Sequence, residues 1–491
     1  MPHHMSENHI QLPLKGRAKE DILATMQALR QKDVKWREGK VFSMVYDAGD
    51  EVTDILKAAY LMFFSENGLN PTAFPSLREL ETQVVAMVAS LLNGDKEVVG
   101  NMTSGGTESL LMTVKTAREW ARVRRPEVMS PEMILPLTAH PAFEKAAHYF
   151  GVKPIHIPVR ADFRADVEAA KAAITPRTIL MVGSAPSYPH GVVDPIAELA
   201  QAAQEHHLLF HVDACVGGLV LPFVRRLGYP VPEFDFKTPG VTSMSADLHK
   251  YGYAAKGASV VLYRNQDLRR RQFFAYTDWP GGIYASATMA GTRPAGPIAA
   301  AWAVMNFLGE EGYLALTDTV IKTAIKIREG VARIPGLKVL SNPDMSVHAI
   351  GSDQFNIYEV GDEMTLRGWH LDRQQFPPSL HMTITPAHAR TADDFLRDLA
   401  QAVELVRKPS LHKIGNAIVV SLAKAAVKLL PEKLVSQLTS RASSLLGGGD
   451  AGLPQRSAAM YGMMGTLPNR GDLNELVLDL LDQMMRVEEQ A

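Results

Sequence analysis

The middle of the chain alternates between short apolar runs and longer segments in which apolar residues recur at helical spacing. Four apolar runs rich in β-branched residues lie at 178–183, 208–212, 241–245 and 258–263. The alanine-rich segment 196–205, between the first two runs, has the period of a helix. Apolar runs of this kind are typical of strands buried on both faces, so we predict an α/β fold with a mostly parallel central sheet covered by helices. Such sheets bind ligands at the carboxyl ends of their strands.

The pattern before this region predicts helices. Residues 15–40 carry apolar side chains near helical spacing, and a turn-rich loop follows at 68–75. Ser76 has the chemistry of an N-cap, so we expect the next helix to begin there.

The pattern after about Gly336 predicts a smaller α+β region. We expect strands at 337–341 and 353–360 and a helix at 391–408. The expected organisation is a helical N-terminal segment, a large ligand-binding domain and a C-terminal α+β domain, at 1–95, 96–335 and 336–491.

Composition and charge exclude several classes of protein. The 491 residues are 46% hydrophobic and 21% charged, with a formal net charge of −2, which gives no basic surface for nucleic acid. Cys215 is the single cysteine, so neither an intrachain disulfide nor a thiolate zinc cluster can form. We therefore expect a reducing, cytoplasmic compartment and no metal. His3 and His4 could bind metal, although a disordered start to the chain explains them as well.

Two segments bear on membranes. Residues 1–20 are mostly polar, so we expect no signal peptide. The most apolar stretch, 414–430, contains two lysines and is shorter than the roughly 18 unbroken apolar residues of a membrane-spanning helix. It is either an amphipathic helix packed on the protein or a surface for peripheral contact with membrane or an apolar substrate.

A glycine turn at 103–108, Thr-Ser-Gly-Gly-Thr-Glu, directly precedes a helical segment. Free backbone N–H groups at a helix N-terminus bind phosphate, and the hydroxyls of Ser104 and Thr107 could add donors. The alternative is an ordinary turn and helix cap.

Three further candidates follow predicted strands. Asp213 ends the run at 208–212, and a carboxylate there could pair with a protonated pyridine nitrogen. Lys250, preceded by Ser245 and His249, could form an imine, for which we expect a partly apolar site that favours the neutral amine. His140 could stack on an aromatic ring. Each residue alone has an ordinary structural explanation, but together they supply the parts that pyridoxal 5'-phosphate requires.

The order of these motifs resembles that of fold-type-I pyridoxal-phosphate enzymes. The segment SMSADLHKYGYAAKGASVVLYR at 243–264 resembles the cofactor-lysine region of the group II decarboxylase superfamily and, more narrowly, of the sphingosine-1-phosphate lyase family. Other matching segments are TSGGTES, TAHPAFEKAA, GSAPSYPHGVVDPI, HVDACVGG, TDWPGGIYASATMAGTRPAG and AAMYGMMGTLPNR. The resemblance extends from about residue 30 to the C-terminus.

The resemblance implies roles for particular residues. Lys250 would hold the cofactor as a Schiff base, Asp213 would meet the pyridine nitrogen, and His140 would stack on the ring. The cofactor phosphate would be surrounded by Gly105, Gly106, Thr107, Ser245 and His249. In the family the GTRPxG loop reaches the cofactor of the neighbouring subunit, so Gly291 and Thr292 imply a homodimer with shared sites.

The resemblance also implies a substrate pocket. Tyr188 and Tyr46 match tyrosines that line the lyase pocket, and Lys256 matches a lysine that helps to hold the substrate's phosphate. A solvated loop charge is the alternative for Lys256. At Asn70 the family has a histidine that contributes to phosphate binding, and this departure implies weaker or different binding. The membrane helix of eukaryotic lyases is not found in the sequence, which is typical of a bacterial form.

The implied reaction is retro-aldol cleavage of the Cα–Cβ bond of a phosphorylated long-chain base, giving a fatty aldehyde and phosphoethanolamine. Tyr188, Lys250 and the substrate's own phosphate are all candidates for the base that takes the proton of the 3-hydroxyl. Two other functions stay open. One is amino-acid decarboxylation with the same cofactor residues, and the other is a non-catalytic binding protein with this fold.

Overall fold

The computed structural model describes residues 10, 12–408, 458 and 470–486. The apolar stretch at 414–430 and the histidines at 3 and 4 lie outside the described residues. Among the described helices, none combines the length and the apolar character that crossing a membrane requires.

The N-terminal part is helical, as the pattern predicts, but its helices have different limits. They are α1 (Lys19–Leu29), α2 (Asp50–Met62) and α3 (Pro75–Leu91), with two 3-10 turns at Arg30–Lys32 and Trp36–Glu38. The expectation that Ser76 caps the third helix is wrong. The helix begins one residue earlier because Pro75, whose fixed φ suits a first helical position, occupies that place.

A seven-stranded sheet forms the centre of the molecule. Its strands are β1 (Val99–Thr103), β2 (Glu132–Pro136), β3 (Lys153–Ile157), β4 (Thr178–Ser184), β5 (Leu209–Asp213), β6 (Ser243–Ala246) and β7 (Ser259–Tyr263), in the order β1-β7-β6-β5-β4-β2-β3. The pairs from β6 to β3 are parallel, whereas β7 runs antiparallel to both β6 and β1. The predicted mostly parallel sheet is confirmed.

Helices α4 to α10 accompany this sheet. They are α4 (Gly106–Arg124), α5 (Ala142–Phe150), α6 (Val167–Ala172), α7 (Ile196–Glu205), α8 (Leu221–Arg226), α9 (Gln266–Gln272) and α10 (Ala295–Arg333), the last kinked at Gly309. In β4, Met181 joins one apolar cluster, and its neighbours Leu180 and Val182 join the other. Both faces of the sheet are therefore buried, which explains its unbroken apolar runs.

The remaining strands form two smaller sheets. One is the hairpin of β8 (Phe274–Trp279) and β9 (Gly282–Ser286), and the other has the order β10-β11-β13-β12. The strands of the second sheet are β10 (Lys338–Val339), β11 (Val347–Gly351), β12 (Asp372–Gln375) and β13 (Pro378–Thr383).

Helices α11 (Ile357–Leu366), α12 (Ala392–Arg407) and α13 (Arg470–Met484) complete the described elements. The helix predicted at 391–408 is confirmed by α12. The strand predicted at 353–360 is wrong, because α11 begins within it. Asn356 caps this helix by accepting a hydrogen bond from the backbone N–H of Tyr358.

The chain divides into two compact units. The first consists of Met1–Val41, Ser352–Leu380 and Arg397–Ala491, and the second of Phe42–Gly351 with His381–Leu396. The candidate site residues, from Tyr46 to Thr292, all belong to the second unit.

Candidate active site

Lys250 lies in the turn that follows β6, beside the buried carboxylate of Asp247. Its Nζ is 3.0 Å from Asp247 Oδ2, and 23% of the lysine side chain is exposed compared with 2% of the aspartate. Burial alone would lower the pKa of Lys250, but the charge of Asp247 outweighs it and raises that pKa. The expected apolar site favouring a neutral amine is thus wrong, since the turn favours an ammonium group.

Asp213 ends β5, the neighbouring strand, and is only 7% exposed. Its Oδ1 accepts hydrogen bonds from the backbone N–H of Cys215 at 3.1 Å and from Ser245 Oγ at 3.3 Å. These two donors hold the carboxylate at the carboxyl end of the sheet, where ligands of parallel sheets bind.

His211 supports this arrangement from within β5. Its Nε2 is 3.2 Å from Ser245 Oγ and its Nδ1 is 2.9 Å from Ser243 Oγ. Since the single proton of Ser245 is donated to Asp213, His211 must donate from Nε2 and accept at Nδ1. Burial lowers the pKa of His211 to about 4, which agrees with this neutral form.

Ser245, which the resemblance places near the cofactor phosphate, contacts other groups in this structure. The residue is fully buried, and its hydroxyl is shared by Asp213, His211 and the thiol of Cys215 at 3.2 Å. It therefore belongs with the carboxylate of Asp213 rather than with the group expected around a phosphate.

The glycine turn places the N-terminus of α4 at the same end of the sheet. Gly105 has φ +157°, a conformation that side chains disfavour. A Cβ built on Gly106 would lie 2.7 Å from Asp247 Oδ2 and 2.9 Å from Cys215 Sγ, so only glycine fits. The first backbone N–H groups of a helix have no partners within it. In α4 they belong to the turn that contains Thr107, which is exposed.

Glu108, in the first turn of this helix, holds the residue that precedes its N-cap, Gly105. Ser104 donates from its backbone N–H and its hydroxyl to Glu108 Oε2, at 2.7 and 2.6 Å. The carboxylate of Glu108 therefore accepts both of these hydrogen bonds from Ser104, the residue whose hydroxyl the sequence suggested as a phosphate donor.

Two histidines surround Lys250. His249 accepts a hydrogen bond at Nδ1 from the backbone N–H of Ala258, which leaves the proton on Nε2, 3.7 Å from Asp247 Oδ2. His140 accepts at Nδ1 from the backbone N–H of Ala142. Burial lowers the pKa of both rings, more than the nearby carboxylates raise it, so both are largely neutral at pH 7.

Lys256 and Tyr46 both lie near Lys250. Nζ of Lys256 donates to the carbonyl oxygens of Met44 at 2.6 Å and His249 at 3.2 Å, and lies 5.4 Å from the ring centre of Tyr46. Part of the lysine remains exposed. Desolvation and the charge of Lys250 lower the pKa of Lys256 to about 8.

Tyr188 and Asn70 have contacts that the sequence did not indicate. The ring of Tyr188 stacks on His381, with ring centres 4.1 Å apart. Asn70 Oδ1 accepts from the backbone N–H groups of Thr72 and Ala73 and from the hydroxyl of Thr72, at 3.0, 3.2 and 2.7 Å. Asn70 thus stabilises its own turn.

Thr292 is exposed, in a loop that is tied to the loop before Asn70. Arg293 forms a bidentate ion pair with Glu81, at 2.7 and 2.8 Å, and its carbonyl oxygen accepts from the backbone N–H of Gly68 at 2.8 Å. The two loops form one surface segment.

Sequence reasoning missed two residues. Asp247 was part of the motif around Lys250 but had no assigned function, although a carboxylate three residues before a candidate lysine in a short turn is a usable signal. His381 lies far along the chain in β13, and no local pattern connects it with Tyr188.

The chain is similar to known proteins over most of its length. Residues 2–348 match the family model described as pyridoxal-dependent decarboxylase conserved domain. The chain is 42% identical to a sphingosine-1-phosphate lyase of Oryza sativa subsp. japonica, over 96% of this chain and 81% of that protein. It is 32% identical to a probable L-aspartate decarboxylase of Pyrococcus furiosus, over 74% of this chain and 95% of that protein.

A solved structure of the sphingosine-1-phosphate lyase of Burkholderia pseudomallei superposes with a TM-score of 0.79 at 39% identity, covering 84% of this chain and 97% of that one. This likeness and the sequence matches show a fold-type-I enzyme with pyridoxal phosphate as cofactor.

The residues at this end of the sheet suit that cofactor. A lysine amine, a buried carboxylate at a strand end, a neutral histidine ring and a glycine-lined helix N-terminus converge at one end of the sheet. The chain belongs to the pyridoxal-dependent decarboxylase family and, within it, to the sphingosine-1-phosphate lyases.

Proposed function

We propose that this protein cleaves the Cα–Cβ bond of phosphorylated long-chain sphingoid bases, such as sphingosine 1-phosphate, to a fatty aldehyde and phosphoethanolamine. The observation that carries the proposal is the second cation, Lys256, beside the cofactor lysine and the ring of Tyr46. It adds a positive charge near Lys250, where a substrate's phosphate can be bound. The similarity to lyases over most of the chain supports the same reaction.

When bound, pyridoxal phosphate would supply an electron sink for the bond that breaks. Asp213 would keep the ring nitrogen protonated, and Ser245 and His211 hold this carboxylate in place. His140 would lie against the ring as a neutral imidazole. Lys250 would hold the cofactor covalently.

The cofactor phosphate is assigned to the N-terminus of α4 and to His249. The backbone N–H groups of Gly106 and Thr107 are directed by the helix, and the helix dipole favours an anion there. Gly105 and His249 are neighbours, since a Cβ built on Gly105 would be 3.3 Å from Cε1 of the ring. These groups form one anion-binding surface.

The substrate's phosphate is assigned to Lys256, Tyr46 and Asn70. Lys256 supplies the charge, and Tyr46 lies close enough to contribute its hydroxyl. Asn70 can donate from its amide nitrogen while its oxygen keeps the turn bonds. The proton of the 3-hydroxyl has three possible acceptors, namely Tyr188, Lys250 once substrate has displaced it, and the phosphate itself.

Product analysis tests this function. The purified enzyme, incubated with sphingosine 1-phosphate, should release a long-chain aldehyde and phosphoethanolamine in equal amounts, without carbon dioxide. Release of carbon dioxide from amino acids, with no aldehyde from the phosphorylated base, would instead identify a decarboxylase. A Lys250→Ala variant is the control for cofactor-independent breakdown.

We also infer a homodimer with shared sites. The hairpin β8–β9 exposes Phe274, Tyr276, Trp279 and Ile283, each at 49–79% of its surface. Exposed apolar patches of this kind mark interaction surfaces. The tied loops of Asn70 and Thr292 are themselves exposed, as expected if they complete the site of a neighbouring subunit.

Mixing two inactive variants tests shared sites. Lys250→Ala and Thr292→Trp are each expected to be inactive as homodimers. A hybrid contains one intact site, so refolding an equal mixture should recover about a quarter of wild-type activity. No recovery in demonstrated hybrids would contradict the sharing of sites, and a monomer by light scattering would contradict the dimer.

For the compartment, we propose the cytoplasm. Cys215, the single cysteine of the sequence, is a buried free thiol. Burial, with Asp213 and Asp247, raises its pKa, so it stays protonated and unreactive. A chain without disulfides needs no oxidising environment.

A further inference from the structure

Asp247 occupies a costly position that the cofactor's binding alone does not explain. Its carboxylate is 2% exposed, lies 3.0 Å from Lys250 Nζ and 3.7 Å from His249 Nε2, and its backbone N–H donates to the carbonyl oxygen of Cys215. Burying a carboxylate is unfavourable unless a cation or hydrogen bonds compensate.

The second oxygen of this carboxylate has weaker compensation. Oδ1 is buried and has no hydrogen-bond partner within 3.5 Å among the described residues. The hydroxyl of Ser259 donates to the carbonyl oxygen of Ala246, but it lies near enough to help lower the pKa of Asp247. The first residue of α4, Gly106, packs directly against it. The carboxylate therefore has little room to move, and Lys250 is its main stabilising partner.

The charged and titratable groups that face Asp247 come from four segments. Its own turn supplies Lys250 and His249, and the following loop supplies Lys256. The segment after β5 supplies Cys215 and the carboxylate of Asp213, and the loop before α5 supplies His140. Of these, only the Lys250 ammonium is within hydrogen-bond distance of the carboxylate.

We propose that Asp247 is a positioning residue that directs the Lys250 amine toward the cofactor aldehyde and keeps a positive charge on its nitrogen before and after the bond forms. The proposal rests on Lys250 being the cofactor lysine, as assigned above.

The proton balance of this step explains why the carboxylate remains useful. The ammonium form would first release one proton, so that the lone pair of the amine can form the bond to the aldehyde carbon. Over the whole reaction two of the three protons would leave with the aldehyde oxygen as water, and one would be found on nitrogen at the end. The charge beside Asp247 is thus conserved, and the carboxylate keeps its partner in the loaded enzyme.

The pH dependence of the visible absorbance of the loaded enzyme tests the proposal. A carboxylate next to a cationic nitrogen raises its pKa by about one to three units, so Asp247→Asn should lower the midpoint of the absorbance transition by at least about one unit. Asp247→Glu keeps the charge and should titrate close to wild type. A protein that merely lost stability would not shift this midpoint.

Asp235→Asn is the matched control. Asp235 is also a fully buried aspartate paired with a cation, Arg225 at 3.1 Å, and has no assigned role in the site. Its substitution should lower the melting temperature and leave the absorbance midpoint unchanged. A folded Asp247→Asn protein with a wild-type midpoint would overturn the proposal.

Two further results separate the possible failures. If wild type shows no visible absorbance that borohydride removes, the assignment of Lys250, and with it the proposed function, is wrong. If neither variant at 247 folds, wild type is compared with the imine that pyridoxal phosphate forms with N-acetyl-lysine. A midpoint above that of the free imine supports the proposal, and one at or below it overturns the proposal.

Discussion

The two ends of the candidate site differ in how they are built. The cofactor end, with Asp213, Ser245 and Asp247, follows directly from strands β5 and β6 and is almost completely buried. The substrate-phosphate end, with Lys256 and Asn70, lies on exposed loops. Adjacent parallel strands end at the same edge, so the first end is fixed by the topology of the sheet. The second depends on loops and, in the proposed dimer, on a neighbouring subunit.

This difference predicts different sensitivities. Substitutions at the buried end should remove the cofactor's signal or the chemistry for every substrate. Substitutions at the exposed end should change which substrates bind and leave the cofactor in place.

Replacing the cofactor lysine should have the largest effect. Lys250→Ala is expected to lose the borohydride-reducible absorbance and to lower turnover by at least about 10³-fold, since the covalent step is removed. Lys256→Ala, six residues further on, is the matched control and should keep the absorbance. A Lys250→Ala protein with full turnover would show that the two ends have been assigned wrongly.

Asp213→Asn should have the next largest effect. An amide keeps the shape of the side chain but cannot hold a proton on the ring nitrogen as a carboxylate does, so kcat should fall by about 10²–10³-fold for every substrate. The measurement is kcat with phosphorylated and non-phosphorylated bases, and Asp235→Asn serves as the control. Loss restricted to phosphorylated substrates would contradict the division between the two ends.

Replacing Lys256 should lower kcat/KM mainly for phosphorylated substrates. A charge-assisted hydrogen bond of about 1.5–3 kcal/mol corresponds to a loss of roughly 10- to 100-fold in kcat/KM on substitution to alanine. Non-phosphorylated bases should lose little. Equal losses on both classes would indicate a structural role.

The pH profile sharpens this test. The pKa of Lys256 is lowered to about 8, so the lysine loses its charge as the pH rises through 8. The kcat/KM for phosphorylated bases should therefore fall above pH 8 in wild type. This decrease at high pH, the alkaline limb of the profile, should be missing in Lys256→Ala. A limb that persists in the variant would belong to another group.

The same contrast explains what could be predicted from the sequence. Residues on strand ends and in the glycine turn are recognisable because buried strands and helix starts have strong local patterns, as α7 and β4 show. The pattern at 353–360 predicts a strand, whereas the structure begins α11 within it, with Asn356 as the N-cap. Contacts between distant segments, such as Tyr188 with His381, leave no local pattern.

The sequence also could not show how polar groups are shared. Ser245 and Ser104 each have the chemistry of a phosphate donor, but the structure gives their hydroxyls to Asp213 and Glu108. Which partner a hydroxyl chooses depends on burial and on competing acceptors, and neither is visible in residue types alone.

The smallest expected effect belongs to Asn70→His, at the exposed end. An imidazole is cationic below its pKa, and this charge should tighten the binding of phosphorylated substrates. It also removes the oxygen that caps the turn of Thr72 and Ala73, at about 1 kcal/mol for such hydrogen bonds. We therefore expect less than about a tenfold fall in KM at pH 6 and almost none at pH 8, because histidine titrates near 6.5. Asn70→Ala, which loses the cap and gains no charge, separates the two effects. An equal fall in KM at both pH values would show that shape, and not charge, distinguishes histidine from asparagine at this position.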